Sequence, residues 1–493
     1  MEPWIIVSAV TLAYLAASLV VGTLPGRKAT GTAEGYVAGD RTLGLVLMYF
    51  ITGATIFSAF AFLGGPGWAY SRGAAAFYIL GYGALGFVPF YFLGPRAARV
   101  GRAYGFVTQA EMVAERFKRR SIAGVMAIIS VVAFVPYLAL QIEGAGIVLS
   151  AVTHGRIPEW AGGALVYGVV LAYVLRSGVL GVGWTNAFQG VFMMLLAWGL
   201  GLYLPFKLYG GVGEMFSQIA AERPEMLLAP GLKGGAPWSW GEYSSAVLVS
   251  AIGFSVWPHL FMKAFTARDD DTIRRTVVLY PTFQIFLVPL FLIGFCGVFF
   301  TPQPDAANEV LPHMLMHMDI PALLVGLFCA GALAASMSSG DAMVHAAASI
   351  AVRDGVVKAF GGRFNPGAER TAIRWVVVLV MLVSYLVAVL YEGSLVNLLL
   401  FAYGPVVQFA PGVIAALVWR RANGWAVLVG LVCGGVVNLV LVIWPDLRPF
   451  AIHAGMYGLT INAMIVVVGS LLAPRGNQDD RFVRIADGEA PGA

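Results

Sequence analysis

Two short polar patches interrupt the long apolar runs of this chain: Ala335-Ser336-Met337-Ser338-Ser339-Gly340-Asp341 and Gly53-Ala54-Thr55-Ile56-Phe57-Ser58. Hydroxyl groups, an acid and glycines are costly in a helix that is surrounded by lipid. They are tolerated where they line a cavity or hold an ion. The two patches therefore favour a transporter over a protein that is merely embedded in a membrane.

The composition excludes an ordinary soluble protein. Apolar residues make up 59% and charged residues 12% of the 493 residues, and the mean hydropathy is +0.80. Sixty glycines suit close helix packing in a bilayer. The sequence contains no Walker A motif, no HExxH motif and no spaced cysteine cluster, so we expect neither an enzyme nor an organic cofactor.

Windows of about 20 apolar residues, the length that crosses a bilayer as a helix, predict thirteen spans. No basic stretch precedes the first window, so we interpret it as a retained helix and not as a cleaved signal peptide. The predicted spans cover residues 3–24, 44–70, 74–95, 121–152, 160–176, 181–206, 241–262, 276–300, 319–352, 372–391, 394–419, 424–444 and 450–473.

The placement of lysine and arginine predicts the orientation of these spans. With the N-terminus outside, 25 of the 31 basic residues, Lys263 among them, fall in cytoplasmic segments. No basic residue is then expected deep in a span. The odd number of spans places the C-terminus in the cytoplasm, where the polar residues 474–493 are predicted to form a disordered tail. The six basic residues left outside are Arg72, Arg156, Lys207, Arg223, Lys233 and Arg448.

The patch at residues 335–341 lies in the ninth predicted span and suits a monovalent cation. A lone serine would be explained by a hydrogen bond to a carbonyl one turn earlier, but two adjacent serines near an acid are less easily explained. Neutral oxygens in a small cavity are ligands that hard cations prefer. Because neighbouring residues point about 100° apart on a helix, only part of the set Ser338, Ser339 and Asp341 can face one site.

Residues that break helices occur in two further predicted spans. The second contains Gly64-Gly65-Pro66-Gly67 after its polar patch, and the seventh contains Gly253-Phe254-Ser255-Val256-Trp257-Pro258-His259. Carbonyl groups freed by a break can coordinate a cation, and freed N–H groups can hold an anion. His259 is a candidate for contact with a solute, with a packed or interfacial histidine as the alternative.

The fourth predicted span carries polar residues on one face. Tyr137 and Gln141 lie four residues apart and are followed by Glu143. An ionisable residue inside a span is a functional hypothesis by default. Glu143 is therefore a candidate for coupling or gating, with an interhelical hydrogen bond as the alternative.

These residues together resemble the solute:sodium symporter family, whose members include sodium-coupled carriers of proline, pantothenate, sugars and monocarboxylates. The resemblance covers about residues 1–475, and its specificity comes from the order of the motifs on the spans. The matching landmarks are Gly53-Ala54, Phe57-Ser58, Gly64-Gly65-Pro66-Gly67, Pro136-Tyr137, Gln141, Trp184-Thr185-Asn186, Gln189, Trp257-Pro258-His259, Met337-Ser338-Ser339-Gly340-Asp341 and Ala402-Tyr403-Gly404-Pro405.

The resemblance implies an all-α membrane fold with a leucine-transporter-like 5+5 inverted repeat in one transporter domain, residues 1–473. Residues 44–206 would form the first repeat and residues 241–419 the second, with helices 3–24 and 424–473 at the periphery. It also implies one Na+ between the second and ninth spans. The ligands would be the backbone carbonyls of Ala54, Phe57 and Ala335 and the hydroxyls of Ser338 and Ser339.

Two positions depart from patterns found in the family. Many relatives carry an acid where this chain has Asn186, so we expect one sodium ion per cycle, with Asn186 and Asp341 as candidates for coupling or gating. Ile56 stands where some amino-acid carriers have an acid, which favours an uncharged or anionic solute. The stretches around residues 60–70 and 257–262 look most similar to the monocarboxylate branch.

We therefore predict a Na+-coupled symporter that imports a small organic monocarboxylate, such as pyruvate or lactate, across the cell inner (plasma) membrane. The alternatives are proton coupling through Glu143 and Asp341, sodium coupling to pantothenate or a neutral amino acid, and a membrane sensor module with this fold. The expected partners are the solute and the lipid bilayer, not nucleic acid. The residues expected at the solute site are Thr55, Ser58, Phe60, Tyr137, Gln141, Trp257, His259, Tyr403 and Gln408.

Overall fold

The structure, a computed structural model, describes residues 3–27, 32–391, 395–473 and 480–489. Within this part of the chain, nine helices are long and apolar enough to cross a membrane, or eleven if two bent helix pairs each count as one span. The chain is therefore an all-α protein of many membrane-spanning helices. Two of the basic residues predicted to be cytoplasmic, Lys28 and Arg475, lie outside the described residues.

Helices lie over every one of the thirteen predicted windows. In chain order the α-helices of the described part are α1 (Pro3–Thr23), α2 (Ala33–Ala38), α3 (Leu45–Ile56), α4 (Gly65–Arg72), α5 (Phe77–Gly86), α6 (Phe90–Tyr104), α7 (Gln109–Arg116), α8 (Arg120–Val152), α9 (Glu159–Tyr209), α10 (Val212–Glu222), α11 (Trp240–Val256) and α12 (Pro258–Phe261). They continue with α13 (Lys263–Thr266), α14 (Asp270–Gln284), α15 (Leu287–Cys296), α16 (Val310–His317), α17 (Ala322–Ile350), α18 (Pro366–Leu390), α19 (Leu395–Val406), α20 (Phe409–Val418), α21 (Gly424–Ile443), α22 (Ala454–Leu472) and α23 (Asp480–Asp487). A small antiparallel sheet, β1 (Leu232–Lys233) and β2 (Ala236–Pro237), precedes α11.

The longest helix, α9, covers two predicted spans, 160–176 and 181–206. Its backbone leaves the helical region at Gly178, where φ is +57° and ψ is −143°. A residue with a side chain rarely adopts such a positive φ. A Cβ at this position would also lie 2.5 Å from the carbonyl oxygen of Tyr36. Gly178 therefore permits both the bend in α9 and the close approach of α2.

Two spans are bent at short interruptions. The axis turns by 57° between α3 and the helical stretch Phe60–Gly86, which begins with the π-helical segment Phe60–Gly64, and by 42° between α11 and the stretch Pro258–Thr266. Trp257, at the second interruption, has φ −56° and ψ 126°, the extended conformation expected before a proline. Pro258 has no N–H to donate, so it cannot continue the hydrogen bonding of α11.

The glycine-rich motif at residues 64–67 does not break the second span as predicted. Gly64 ends the π-helical segment, and Gly65-Pro66-Gly67 forms the buried start of α4. A proline in the first turn of a helix is tolerated because its missing N–H would have no helical partner there. The interruption lies instead at residues 57–59, inside the polar patch.

Helix α17 lies at the centre of the bundle. It is buried almost continuously from Val325 to Ile350 and contacts α1, α3, α8, α9 and α18. Alanine, glycine and serine dominate its sequence, and such small side chains let neighbouring helices approach closely. The hydroxyl of Tyr167 on α9, for example, donates to the carbonyl oxygen of Ser336 at 3.0 Å. The polar patch of the ninth predicted span is thus shielded from lipid.

The C-terminal tail is not disordered throughout, which corrects the prediction for residues 480–487. Helix α23 buries Phe482 and Ala486, while Arg96 of α6 pairs with Asp487 at 2.9 Å. Arg99 also donates to the carbonyl oxygen of Ala486 at 3.0 Å. A helix this short is marginal by itself, so its order depends on a partner surface that the polar composition of the tail did not reveal. Residues 474–479 and 490–493 lie outside the described part.

Candidate cation and solute site

Carbonyl and hydroxyl oxygens meet between α3 and α17. The hydroxyl of Ser338 donates to the carbonyl oxygen of Ala54 at 2.9 Å and to that of Ala335 at 3.1 Å. The hydroxyl of Ser339 donates to the carbonyl oxygen of Thr55 at 2.7 Å. All five residues are fully buried. The polar patches of the two spans thus provide one cluster of oxygen atoms.

The cluster is chemically suited to Na+. Its oxygens are neutral carbonyl and hydroxyl groups, which are ligands of hard cations. Phe57, another predicted ligand, follows α3 with φ −79° and ψ 84°, so its carbonyl turns away from the helical direction. Thr55 contributes a carbonyl oxygen that the predicted set did not include.

A polar network surrounds Asp341 on the same helix. Its carboxylate accepts hydrogen bonds from the Tyr173 hydroxyl at 2.8 Å, the Thr185 hydroxyl at 3.1 Å and the Asn186 side-chain amide at 3.1 Å. The Oδ1 atom of Asn186 in turn accepts a hydrogen bond from the Thr55 hydroxyl at 3.2 Å. All five side chains are buried. Several donors to one carboxylate offset the cost of burying it, so the network holds α3, α9 and α17 together.

This network changes the interpretation of two predicted residues. Asn186, where many relatives carry an acid, donates its side-chain amide to the carboxylate of Asp341 on the facing helix. Thr55 was expected at the solute site, but its hydroxyl donates to the carbonyl oxygen of Ile51 at 2.5 Å and to Asn186. The rotation of α3 turns the Thr55 side chain toward α9, and its place at the solute site stays a prediction.

Aromatic rings gather at the interruption between α11 and α12. The ring centroid of Trp257 lies 5.5 Å from that of Tyr137, 5.6 Å from that of Tyr403 and 5.4 Å from that of His259. Ser58, at the other interruption, lies beside Tyr137. The structure therefore brings together four predicted solute-site residues from α8, α12, α19 and the α11–α12 junction, with Ser58 adjacent to them.

Several buried polar atoms of this pocket have no hydrogen-bond partner among the described residues. They are the hydroxyl oxygen of Ser58, the indole nitrogen Nε1 of Trp257 and the imidazole nitrogen Nδ1 of His259. Burying an unpaired polar group costs free energy, and such groups in a native protein call for a ligand or ordered water. The pocket therefore has the character of a binding site with polar groups set between aromatic walls.

Gln141 performs a structural task at the first interruption. Its Oε1 atom accepts a hydrogen bond from the backbone N–H of Ala59 at 2.8 Å, an amide that the end of α3 leaves without a regular helical partner. The hydroxyl of Ser336 donates to the carbonyl oxygen of Gln141 at 2.7 Å. Gln141 therefore holds the interruption of the second span against α8 and α17.

Two other predicted wall residues lie farther from the pocket. Gln408 donates to the carbonyl oxygens of Gly404 at 3.1 Å and Gly455 at 3.2 Å, so its side chain is directed toward α22. Its amide thereby takes part in the packing of α20 on α22, and its assignment to the solute site stays a prediction. Phe60 shares a space of about 10 Å³ with Tyr82, whose ring centroid is 5.7 Å from that of Tyr403. Phe60 therefore lies behind Tyr82, as seen from Tyr403 and Trp257.

Glu143 belongs to a different region. It is half-buried and lines a cavity of about 480 Å³ together with Glu159 and Tyr391. Its Oε2 atom has no hydrogen-bond partner within the described ranges. The two acids named for proton coupling, Glu143 and Asp341, are therefore held in separate surroundings.

The end of the bundle that is predicted to face the cytoplasm is closed. The N–H of Leu43 donates to the carbonyl oxygen of Thr266 at 3.2 Å, and the N–H of Arg268 donates to that of Leu43 at 3.0 Å. Arg41 donates to the carbonyl oxygen of Phe265 at 3.1 Å. The hydroxyl of Tyr36 donates to the carbonyl oxygen of Val174 at 2.8 Å. These contacts join α2 and the segment between α2 and α3 to α13 and α9. They lie on the side of the candidate site that is predicted to face the cytoplasm.

Lys263 is a residue that the sequence analysis placed wrongly. It was expected in a cytoplasmic segment, but it begins α13 within the bent span and is only 4% exposed. The apolar residues Ala264 and Phe265 continue the helix beyond the predicted end at residue 262, and they are the signal that could have revealed its burial. A charged group is therefore present in the closed interior.

A family model described as the sodium:solute symporter family matches residues 36–434. An uncharacterized symporter of Bacillus subtilis (strain 168), YhjB, is 27% identical over 455 residues, which cover 89% of this chain and 91% of that protein. A monocarboxylate transport permease protein of Rhizobium johnstonii is 25% identical over 456 residues, which cover 88% and 90%.

A solved structure shows the same fold. A Na+-coupled sialic acid symporter in a substrate-bound outward-open state matches with a TM-score of 0.81 at 20% identity, covering 96% of this chain and 99% of that chain. The fold is leucine-transporter-like. The family model spans well over half of the sequence. The chain therefore belongs to the sodium:solute symporter family, as a Na+-coupled solute symporter of the membrane and not an enzyme.

Proposed function

We propose that the solute is a small organic monocarboxylate that enters the cell with Na+. The observation that carries this proposal is the group of unpaired buried atoms in the aromatic pocket: Ser58 Oγ, Trp257 Nε1 and His259 Nδ1. A hydroxyl and an indole N–H are hydrogen-bond donors, and an imidazole nitrogen donates when it carries the proton. Each can therefore bind a carboxylate oxygen. Ile56 provides no acid for an amino group, which weighs against an amino acid.

The named relatives give further support. One relative at 25% identity is called a monocarboxylate transport permease. Pyruvate, lactate, acetate and propionate belong to the substrate class that we propose. Aromatic walls around the polar groups would pack against the short apolar part of such a molecule.

We infer that Na+ binds between α3 and α17, to the carbonyls of Ala54, Phe57 and Ala335 and to the hydroxyls of Ser338 and Ser339. The ligands come from both helices, so the ion would draw the two together. It would also order residues 57–59, which carry Ser58 into the solute pocket. Binding of Na+ would then favour the outward-facing, solute-competent arrangement through its higher affinity for that state.

We further propose thirteen crossings with the N-terminus outside, in the plasma membrane. Residues 44–206 and 241–419 would form the two inverted repeats of a single domain, 1–473. The interruptions at residues 57–59 and at Trp257 support this division, since each lies in the first span of its proposed repeat. Helices α21 and α22 pack mainly against each other, in agreement with a peripheral position.

The stoichiometry decides how the membrane potential acts. A monocarboxylate that enters with one Na+ moves no net charge, so its accumulation would not depend on the potential. A second cation would give each cycle one net positive charge. The membrane potential would then add about 2.3 kcal/mol per 100 mV to the driving force for uptake. We propose one Na+ per cycle, and measurement of uptake at several imposed potentials tests this directly.

The central experiment uses purified protein in proteoliposomes. Labelled pyruvate, lactate, acetate and propionate are offered with an inward Na+ gradient, with choline in place of Na+, and with a pH gradient in Na+-free buffer. We expect accumulation of at least one acid with Na+ alone. Equal accumulation with choline would refute sodium coupling, and uptake driven only by the pH gradient would favour proton coupling. Pantothenate and a neutral amino acid are offered under the same conditions, and uptake restricted to either of them would refute the proposed substrate class.

A further inference from the structure

An apolar groove opens on the surface of the bundle between α6, α11, α20 and α22. Its volume is about 560 Å³, and the exposed side chains of Ile414, Val418 and Val467 form its rim. One serine, Ser255, lies in the wall, and its hydroxyl donates to the carbonyl oxygen of Ile252 within α11 at 3.1 Å. These helices belong to membrane spans, and the wall suits a hydrocarbon chain, not a polar solute.

Two arginines meet at one end of this groove. Leu93 is the last lining residue on α6, and Arg96 follows it by one helical turn on the same face. Trp419 is the last lining residue after α20, and Arg420 follows it directly. The guanidinium groups of Arg96 and Arg420 lie 2.9 Å and 3.9 Å from the carboxylate of Asp487. The two arginines, called the arginine pair below, are therefore side by side.

Positive charge exceeds negative charge around the arginine pair. Glu489 lies 3.7 Å from Arg420 and 2.6 Å from Arg484, and Arg116 donates to the carbonyl oxygen of Arg420 at 3.3 Å. A guanidinium group binds phosphate in the same forked geometry in which it binds a carboxylate. The groups joined by these contacts are four arginines, Arg96, Arg116, Arg420 and Arg484, and two acids, Asp487 and Glu489.

We propose that an anionic phospholipid binds in this groove, with one acyl chain between α6, α11, α20 and α22 and its phosphate at the arginine pair. The chain fills space that the described side chains leave open, and each contact along it adds dispersion energy. Basic pockets beside membrane helices on the cytoplasmic side bind anionic head groups. The phosphate competes with Asp487 of α23 for the arginine pair, so each weakens binding of the other. This inference depends on neither the solute nor the coupling ion.

An occupant of the groove contacts the helix that leads to the solute pocket. Ser255 and Val256 line the groove and directly precede Trp257 at the interruption. The carbonyl oxygen of Val256 accepts a hydrogen bond from the side-chain amide of Gln109 on α7 at 3.0 Å. The acyl chain therefore supports the end of α11 from the side opposite to the pocket wall formed by Trp257.

The test titrates lipid into the purified full chain in detergent and follows the melting temperature. Dioleoyl phosphatidylglycerol and dioleoyl phosphatidylcholine share their acyl chains and differ in head-group charge, whereas glycerol 1-phosphate offers a phosphate without a chain. We expect the half-saturating concentration of phosphatidylglycerol to be about threefold or more below that of phosphatidylcholine, and no stabilisation by glycerol 1-phosphate. Equal concentrations for the two lipids, or equal stabilisation by glycerol 1-phosphate, would overturn the proposal.

Charge substitutions locate the head group. Arg96→Gln combined with Arg420→Gln should bring the two lipids within about twofold of each other, because the charges that distinguish them are removed. The matched control, Arg275→Gln, alters an exposed arginine that pairs with Asp271 at 2.7 Å, and it should preserve the difference. Asp487→Asn should lower the half-saturating phosphatidylglycerol concentration by about twofold or more, since a competing carboxylate is lost. A difference that survives the double substitution, or an unchanged concentration in Asp487→Asn, overturns the assignment.

A substitution in the wall locates the acyl chain. Ala463→Trp narrows the groove and should raise the half-saturating phosphatidylglycerol concentration by about threefold or more. Met464→Trp, at the next residue of α22, changes an exposed side chain outside the groove and should have no effect on that concentration. If Ala463→Trp does not fold, Ala463→Leu makes the same test. An unchanged lipid dependence overturns the proposal, and so does a protein dimer that the substitution abolishes, which would identify a second copy as the occupant.

Discussion

Two adjacent serines take different roles in the oxygen cluster. Ser338 reaches two carbonyl oxygens, one on its own helix and one on α3, whereas Ser339 reaches only Thr55 on α3. Because successive residues point about 100° apart on a helix, both hydroxyls can meet α3 only where that helix is close to α17. The close approach is supported by small residues on both helices.

Removal of either serine hydroxyl should weaken Na+ binding. We expect Ser338→Ala and Ser339→Ala each to raise the half-saturating Na+ concentration for uptake by roughly threefold to tenfold, the effect of losing one polar interaction. Ser349→Ala on the same helix is the matched control, since its hydroxyl donates to His345 at 2.7 Å within α17. A Na+ dependence equal to that of the control would place the ion elsewhere.

The indole nitrogen of Trp257 offers a test of the solute pocket. Trp257→Phe keeps an aromatic ring but removes an N–H that has no partner in the described protein. We expect the half-saturating solute concentration to rise by roughly threefold to tenfold. The thermal stability without solute should fall only by the packing cost of the smaller ring, because no internal hydrogen bond is lost. Equal affinity for the acid in both proteins would contradict a role for this nitrogen in binding.

At the scale of helices, interruptions and caps position the site. Helix α14 packs on α3 so closely that a Cβ at Gly53 would lie 2.3 Å from the ring of Phe283. Its start is defined by Asp269, whose carboxylate accepts a hydrogen bond from the N–H of Thr272 at 2.7 Å. The backbone N–H of Thr272, its hydroxyl and nearby Arg268 lower the pKa of Asp269 to about 2.

This cap predicts a pH dependence at the start of α14. The folded-state pKa of Asp269 lies below the value of about 3.9 for an unfolded chain, so its stabilising effect is complete above that pH and is lost as the pH falls toward 2. Asp269→Ala should cost about 0.5–2 kcal/mol at pH 7. Thermal unfolding in detergent should show two different melting temperatures at pH 7 that converge between pH 4 and pH 2. A constant difference over that range would contradict this assignment.

At the scale of the whole molecule, the face that is predicted to be cytoplasmic is held shut at two places. The segment before α3 pairs with the end of α13, and the C-terminal helix α23 lies across α6 and α20. Arg420, which follows α20, lies 3.9 Å from Asp487, while Arg96 reaches the same carboxylate from α6. The tail therefore joins helices that are far apart in sequence.

Loss of the tail should loosen this face. We expect a chain that ends at Ala473 to unfold at a lower temperature, because the buried side chains of Phe482 and Ile485 lose their contacts. Phe482→Ala in the full chain should reproduce most of the effect, at a cost of roughly 3 kcal/mol. The control is the full chain with Asp480→Asn, a substitution at the start of α23. Equal melting temperatures for all three proteins would show that α23 contributes no stability.

Much of the fold could be predicted from local pattern. Apolar windows located the helices, and the polar residues at 53–58 and 335–341 marked the cluster between α3 and α17, because unpaired polar groups are costly in lipid. Proline explained the interruption at Trp257 for a local reason, the missing N–H of Pro258. The same reasoning wrongly predicted an interruption at Gly64-Gly65-Pro66-Gly67, since a proline in the first turn of a helix does not interrupt it.

The linear order of residues by itself determined where the helices run, which of them are interrupted and which carry oxygen ligands, because backbone hydrogen bonding and hydropathy act over a few residues. Only the tertiary structure decided that Asp341 faces Asn186, that the side chains of Thr55 and Gln408 bond to α9 and α22, that Lys263 is enclosed and that α23 is ordered. Burial and electrostatic environment arise from neighbours that are distant along the chain, 155 residues for Asn186 and Asp341 and 47 residues for Gln408 and Gly455, and no local pattern records which helix will supply them.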